Sequence, residues 1–269
     1  MTASIAQRPM AASAFGRFAG LRPLLRKDIT EWMRGRRAAV VFALSTAFMV
    51  LTAANAWIVA RITEGLPSDV QPPAPGSLVP LDNLLAAIGS QIFVFAAIFA
   101  VASVLVRERE SGTLAWVASK PVSRSSIWLA KWLSASGILA VAAVIAPIVA
   151  TGAVVSLLYG VPALGPVVVV TAGAIAAVVF FAALGLAAST VVPGQPAVAA
   201  TGFMVFVLAP MVAGLIPLPI GPYLPTSILS WSLGLATGTD VGWITPVAWA
   251  AWVLALAWLS IRRMERLEL

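Results

Sequence analysis

Six stretches of this sequence are apolar over about 20 residues or more, and none of them contains Asp, Glu, Lys or Arg. They are Ala38–Ala60, Leu84–Val106, Trp132–Leu158, Pro166–Val192, Ala197–Ile216 and Trp243–Ile261. A helix needs about 20 residues to cross the ~30 Å hydrocarbon core of a bilayer. Only 10% of the 269 residues are charged, which is too few to form the water-exposed surface of a soluble domain of this length. The sequence therefore predicts an all-α membrane protein with six transmembrane helices between residues 38 and 261.

The basic residues are distributed unevenly around these six stretches. Eight Lys or Arg residues precede the first stretch, five lie between the second and third, three follow the sixth, and Arg61 lies apart from them. Segments rich in Lys and Arg stay in the cytoplasm. We therefore expect a multi-pass protein of the cell membrane with both termini cytoplasmic. Its cytoplasmic parts are an N-terminal segment of residues 1–37, a loop of residues 107–131 and a tail of residues 262–269.

Cys and His are both missing from the chain. Their absence removes thiolate and imidazole chemistry and the commonest metal ligands, so we expect no catalytic site and no metal site. The net charge of +7 is explained by the cytoplasmic bias and by attraction to anionic lipid. We expect no binding to nucleic acid.

An amphipathic pattern precedes the first span, from Phe15 to Arg34. On a helical wheel, one face carries Phe18, Leu21, Leu25, Ile29 and Trp32, and the opposite face carries Arg26, Lys27, Glu31 and Arg34. A basic amphipathic helix with a Trp is typical of a helix that lies on the inner leaflet. A plain basic anchor that sets the orientation explains the pattern equally well.

The two long outer segments differ in character. Residues 61–83 contain five prolines and are expected to be extended. In residues 217–240, four prolines are followed by TSILSWSLGLATG, which is apolar but too short to cross the bilayer. We expect this stretch to form a short extracellular re-entrant or interfacial helix before the last span.

The cytoplasmic loop of residues 107–131 has three parts. The charged cluster RERE ends the second span, a short apolar stretch with Leu114, Trp116 and Val117 follows, and Lys120-Pro121 stops it. Ser123 is placed to cap the helix that leads into the third span. Apolar side chains rimmed by charge indicate either a contact with another protein or a contact with the inner leaflet.

The same loop resembles that of a known family. Its pattern is Glu108-Arg109-Glu110-Ser111-Gly112-Thr113-Leu114, then Ser119-Lys120-Pro121-Val122-Ser123-Arg124, then Lys131. The N-terminal segment adds R-K-D-I-x-E-W at Arg26–Trp32. Together these motifs are similar to those of ABC-2 type (type V exporter-like) ABC transporter permease subunits.

This resemblance implies an architecture and a mechanism. The N-terminal amphipathic helix would be the elbow helix of such permeases, and the loop would carry a coupling helix that docks into a separate cytoplasmic ABC ATPase. ATP hydrolysis by the ATPase would then drive export of a substrate. ATP and Mg²⁺ would bind to two ATPase copies, and a second permease copy or a paralogue would complete the assembly among membrane lipids. The docking residues would be Glu108, Glu110, Gly112, Thr113, Leu114, Trp116 and Val117, the two glutamates contacting the ATPase or ordering the loop.

The chain has no ATP site of its own. A phosphate-binding loop requires the dipeptide Gly-Lys, and the three lysines of this chain follow Arg, Ser and Ala. We therefore expect no ATPase activity and no cofactor on this chain.

Polar residues within the six stretches are few. The candidates for lining a path are Asn55, Ser90, Gln91, Thr151 and Thr190, together with Ser103, Ser156, Thr171, Ser189 and Thr201. Small polar side chains also hold membrane helices together, and Gly185 and Ser189 have the spacing of such a packing pair. An uncharged path suits an apolar or amphiphilic substrate.

The residues leave two other functions open. An ion-coupled secondary transporter would normally carry a carboxylate or His within its spans, and residues 132–239 contain no charged group. Backbone carbonyls can nevertheless bind Na⁺. A structural or sensory subunit without translocation would share the ATPase partner and lack a path.

Overall fold

The structure, a computed structural model, describes residues 20–63, 79–120 and 122–266, and all regular structure in these ranges is helical. The helices are α1 (Leu21–Arg34), α2 (Arg37–Ile62), α3 (Pro80–Gly89), α4 (Ile92–Glu110), α5 (Thr113–Ala118), α6 (Arg124–Leu139), α7 (Ala146–Leu158), α8 (Leu164–Ser189), α9 (Gln195–Leu215), α10 (Ile228–Ala236) and α11 (Ile244–Arg266). Six units are long and apolar enough to cross a membrane: α2, α3 with α4, α6 through α7, α8, α9 and α11. The prediction of an all-α protein with six spans is confirmed.

Helix α8 lies at the centre of the bundle, packed against α4, α6, α9, α10 and α11. Its sequence is rich in Ala, Gly and Val, which lets neighbouring backbones approach closely. A Cβ at Gly185 would lie 2.9 Å from Val101 Cγ1 of α4, and Ser189 is fully buried. The small pair Gly185 and Ser189 therefore serves helix packing.

The short apolar helix expected before the last span is present as α10. Its nine residues do not cross the bundle but pack against α8 and α3. The closest approach is at Gly173 of α8, where an added Cβ would lie 2.0 Å from Ser232 Oγ and 2.4 Å from Ser232 Cβ. Glycine at position 173 therefore permits α10 to seat against α8.

We expect Gly173→Ala to lower the free energy of unfolding by about 1–3 kcal/mol, because the new methyl group overpacks this contact. Thermal unfolding of the purified protein measures the effect. Gly137→Ala is the matched control, since a Cβ there meets nothing within 4 Å. Adding Ser232→Gly to Gly173→Ala removes the clashing atoms and should restore stability. Equal unfolding midpoints for Gly173→Ala and the wild type would contradict this packing.

The second span is divided where the sequence indicates a single uninterrupted stretch. Helix α3 ends at Gly89 and α4 begins at Ile92, with Gln91 between them at a φ of 56°. Among the described residues, Gln91 alone has a positive φ without being glycine, a conformation that costs about 1–2 kcal/mol. Helix α3 also begins at Pro80, so the end of the loop that we expected to be extended is helical instead. Proline is favoured at a first helical position; most of that loop lies outside the described residues.

The third span contains a π-helical turn, Ala140–Ile145, between α6 and α7. Pro147 follows directly in the first turn of α7. Proline has no N–H, and its ring clashes with the carbonyl four residues earlier, so the helix widens at this point. The interruption is local, and the span continues to Leu158.

A tyrosine from the end of the third span enters the backbone of the first. Trp57 N–H donates to the Tyr159 hydroxyl at 3.0 Å, and this hydroxyl donates to the Ala53 carbonyl at 2.8 Å. In a regular helix the Trp57 N–H would pair with that carbonyl directly. Tyr159 thus bridges one turn of α2 and joins the C-terminal parts of the two spans.

Candidate functional site

Helix α5 is a short helix set between the second and third spans. The chain leaves α4 after Glu110 and turns at Gly112, whose φ of +71° favours glycine. Trp116 N–H donates to the Gly112 carbonyl at 3.2 Å, which starts α5. The hydroxyls of Ser111 and Thr113 are hydrogen-bonded to each other at 2.7 Å. The predicted short helix is therefore present, separated from α4 by a tight turn.

The described side chains of α5 point in different directions. Val117 is 7% exposed and belongs to the hydrophobic core, whereas Trp116 is 63% exposed. Lys120 Nζ lies 4.5 Å from the centroid of the Trp116 ring. Glu110 is exposed, Thr113 is half-buried, and the side chain of Leu114 lies outside the described part of the chain. Among the proposed docking residues, Trp116 is thus a large apolar group on the outer surface.

The start of the third span is capped as the sequence predicts. Ser123 precedes α6, and its hydroxyl accepts a hydrogen bond from Ser126 N–H at 3.1 Å. This bond satisfies one of the free N–H groups in the first turn of α6. Pro121, which we expected to stop α5, lies outside the described residues.

Four charged groups from three helices meet near the end of α4, and we call them the ionic cluster: Lys27, Asp28, Glu108 and Lys131. Lys131 Nζ lies 2.7 Å from Glu108 Oε2 and 3.7 Å from Asp28 Oδ1. Lys27 Nζ donates to Glu108 Oε1 at 3.1 Å. Lys131 is 4%, Asp28 6% and Glu108 9% exposed. The cluster therefore joins α1, the end of α4 and the first half of α6 through buried ion pairs.

Charge in the ionic cluster is balanced internally, with two ammonium groups and two carboxylates. Burial raises the pKa of Asp28 above its ordinary value, and nearby Glu108 adds to this while Lys131 opposes it. Burial lowers the pKa of Lys27, but the carboxylates of Glu108, Asp28 and Glu31 together outweigh burial, so that the pKa of Lys27 is raised. Carboxylate oxygens of Asp28, Glu31 and Glu108 lie within 4.8 Å of one another, and the Lys131 ammonium supplies positive charge among them.

The apolar face of α1 is divided between the bundle and the surface, and the buried side of the helix also contains a carboxylate. Asp28 and Trp32 are buried against the bundle, while Ile29 is 40% exposed and Lys27, assigned to the polar face, reaches Glu108. Asp28 precedes Trp32 by four residues and follows Leu21 by seven, so it shares their side of the helix. The position of the Asp28 carboxylate among apolar residues was the sequence signal for a buried ion pair, because a buried carboxylate needs a partner. Phe18 lies outside the described residues.

Two arginines connect the segments on either side of α5 to other helices. The Arg109 guanidinium donates to the Ser189 carbonyl at the end of α8, at 2.7 Å. The Arg124 guanidinium donates to the Met264 carbonyl near the end of α11. Arginine matches the carbonyls left unpaired at helix C-termini. Together with the ionic cluster, these bonds connect the surroundings of α5 to α1, α8 and α11.

A cleft of about 830 Å³ opens beside this region, between α2 and α4. We call it the α2–α4 cleft. Its apolar walls include Val40, Leu44, Phe48, Phe95 and Phe99, its mouth carries Arg36, Arg37 and Arg107, and Ser45, Ser103 and Gln195 add polar atoms. Of these, the sequence analysis identified Ser103 as a candidate for a path.

A sequence profile described as "ABC-2 family transporter protein" matches residues 22–237. The match begins in α1, ends just after α10 and covers well over half of the 269 residues. The chain belongs to the ABC-2 transporter family. A search of curated proteins gives no significant match. The resemblance noted in the loop and in R-K-D-I-x-E-W is thus confirmed at the level of the family, and both α5 and the α2–α4 cleft lie within the matched range.

None of the five polar residues proposed to line a path in this ABC-2 protein lies in the α2–α4 cleft. Asn55 is exposed on α2, Ser90 is exposed with its hydroxyl bonded to the Ala87 carbonyl, and Gln91 forms the break in the second span. Thr151 is fully buried with no hydrogen-bond partner for its hydroxyl among the described residues. The buried Thr190 hydroxyl donates to the Ala187 carbonyl. Ser90 and Thr190 thus make local backbone bonds of the kind common in membrane helices, and a role of the five residues in a path stays a prediction.

Proposed function

We propose that this chain is the permease subunit of an ABC exporter, and that α5 is the coupling helix that docks into a separate cytoplasmic ATPase. ATP and Mg²⁺ bind to two copies of that ATPase, not to this chain. The exposed Trp116 on α5 is the observation that carries the proposal. In water, an exposed indole gains nothing from its position, whereas buried Trp residues are prominent anchors of protein interfaces.

The links near α5 support a mechanical role for this helix. Glu108 joins α4 to α1 and α6, Arg109 joins it to α8, and Arg124 joins α6 to α11. A displacement of α5 therefore acts on several spans at once. Because Glu108 is buried and paired within the chain, it serves to order the loop, while the exposed Glu110 is placed to meet the ATPase.

The proposed orientation places both termini and α5 in the cytoplasm. It is supported by the positive-inside bias, since all basic residues except Arg61 lie in the three segments assigned to that side. Cytoplasmic exposure is required for α5 to meet an ATPase. Helix α1 would then be the elbow helix at the inner surface, with the exposed Ile29 and Met33 in contact with lipid.

A second permease copy is supported by the outer face of α2. Beyond the α2–α4 cleft, its exposed residues follow helical spacing and include Leu51, Asn55 and Val59. An amide such as that of Asn55 is disfavoured in hydrocarbon, and it is stabilised when a neighbouring helix supplies a hydrogen-bond partner. We propose that a second copy of this chain supplies that partner.

Site-directed crosslinking tests the proposed function. Because the chain has no Cys, a Trp116→Cys variant carries one thiol, to which a benzophenone maleimide is attached in native membranes. We expect irradiation to join the permease to a protein that contains the phosphate-binding loop of an ABC ATPase, identified by mass spectrometry. Trp258→Cys is the control, because Trp258 is similarly exposed at 59% but lies on α11. Crosslinks from Trp116 to lipid alone would overturn the docking role.

A further inference from the structure

The α2–α4 cleft is amphiphilic along its length. Its mouth carries Arg36, Arg37 and Arg107, and beyond them the walls are apolar and aromatic. From Arg37 to Phe48, α2 rises about 16 Å at 1.5 Å per residue. This is about half of the ~30 Å hydrocarbon thickness, so the cleft extends through roughly one leaflet.

The mouth of the α2–α4 cleft concentrates positive charge. Arg37 and Arg107 line the same cleft and their charges repel, an effect that Glu31 partly offsets at Arg37. Within the described residues no carboxylate lies within ion-pair distance of these two arginines or of Arg36. The N-terminus of α2 begins at Arg37 without a side-chain cap, which adds its own partial positive charge. Such an arrangement is stabilised by an anion that bonds to the guanidinium groups.

A buried hydroxyl marks the interior of the same cleft. Ser45 lines the cleft and is 0% exposed, and its Oγ has no hydrogen-bond partner among the described residues. A buried hydroxyl without a partner is costly. Because this Oγ is fully buried behind the cleft wall, it is out of reach of a ligand, and the polar contacts of the site come from the arginines.

We propose that the α2–α4 cleft binds a phospholipid with an anionic headgroup from the inner leaflet. The phosphate contacts Arg37 and Arg107, and one acyl chain lies along Phe48 and Phe99, which are 47% and 64% exposed without a ligand. The inference rests on the proposed orientation, which places the arginines at the inner surface. It does not depend on the ATPase.

Lipid binding to the purified permease tests the proposal. The protein in neutral detergent is titrated with phosphatidylglycerol or phosphatidylcholine, and bound lipid is counted by native mass spectrometry. We expect phosphatidylglycerol to be preferred, and Arg37→Gln with Arg107→Gln to weaken its binding at least about tenfold, because each substitution removes a charge-assisted contact. The pair Arg263→Gln and Arg266→Gln is the matched control, since these arginines lie beside another, smaller cavity on α11.

Further binding measurements distinguish a phospholipid from other occupants of the α2–α4 cleft. Phe99→Ala, at an exposed position that folding does not require, should weaken phosphatidylglycerol binding without changing the unfolding temperature. Dodecyl phosphate should compete better than inorganic phosphate, and equal competition would reduce the cleft to a plain anion site. Equal weakening by the control pair would show unspecific headgroup attraction. A shift from dimer to monomer in the Arg37/Arg107 variant, without loss of lipid, would show that a second copy fills the cleft. Equal competition by the two phosphates, equal weakening by the control pair, or this loss of the dimer would each overturn the proposal.

The outcome is separable from that of the proposed function, because the binding measurement uses neither nucleotide nor ATPase. Loss of the lipid site would leave the Trp116 crosslink unaffected. Loss of the Trp116 crosslink would likewise leave phosphatidylglycerol binding unchanged.

Discussion

Replacing Lys131 by Met is expected to lower the free energy of unfolding by about 3–5 kcal/mol, because it leaves buried carboxylates without their main partner. Lys131 is 4% exposed and lies within ion-pair distance of both Glu108 and Asp28. The remaining ammonium, Lys27, is 43% exposed at its side chain and lies 3.9 Å from Asp28. It cannot replace the contacts that Lys131 makes from the interior of the bundle.

Thermal unfolding in detergent measures this effect, and the midpoint should fall by on the order of 10 °C. Lys120→Met is the matched control, because Lys120 is exposed beside Trp116 and its loss should have little effect. Neutralising the carboxylates in addition, with Glu108→Gln and Asp28→Asn, should recover much of the lost stability. A Lys131→Met protein as stable as the Lys120→Met control would show that the ionic cluster does not hold α1, α4 and α6 together.

Replacing Trp116 by Ala is expected to reduce permease-dependent ATP hydrolysis at least about tenfold while leaving the fold intact. The side chain is 63% exposed and its ring contacts Lys120, so the substitution opens no cavity in the core. Central aromatic residues of an interface commonly contribute 2 kcal/mol or more to binding. That free energy corresponds to roughly a thirtyfold change in affinity for the ATPase.

The measurement compares ATP hydrolysis by the ATPase copurified with each permease variant in proteoliposomes. Trp258→Ala is a close control, because Trp258 is also exposed and also lies under a cation, Arg262, at 5.0 Å. The two variants should unfold at the same temperature and differ in ATP hydrolysis. Full hydrolysis and copurification with Trp116→Ala would show that α5 does not bind the ATPase through this residue.

The parts of the fold that were predictable from sequence are those set by one-dimensional patterns. Uninterrupted apolar stretches determine the six spans, because lipid excludes charged groups from each of them. The short helix before the last span and the Ser123 cap also follow from local sequence. Each of these features is determined by residues that lie close to it in the sequence.

The candidate site was only partly predictable because its bonds join distant positions. Lys27 and Glu108 are 81 residues apart in the sequence. The helical wheel placed Lys27 on the polar face of α1, but a wheel of one helix contains no information about a partner on another helix. Val117 resembles Trp116 in sequence context but turns into the core, since the direction of a six-residue helix is set by its neighbours. The break at Gln91 follows Gly89, the last residue of α3, but a single glycine within an apolar stretch is tolerated in a helix and did not by itself predict the break.

In the proposed coupling, the break at Gln91 is the point around which α4 would tilt. The 19 residues of α4 measure about 28 Å at 1.5 Å per residue. A displacement of about 3 Å at the α5 end would therefore require α4 to tilt by only about 6° around Gln91. Because α4 packs against α2, α8 and α9, such a tilt would change the width of the α2–α4 cleft and displace the central helix of the bundle together with it.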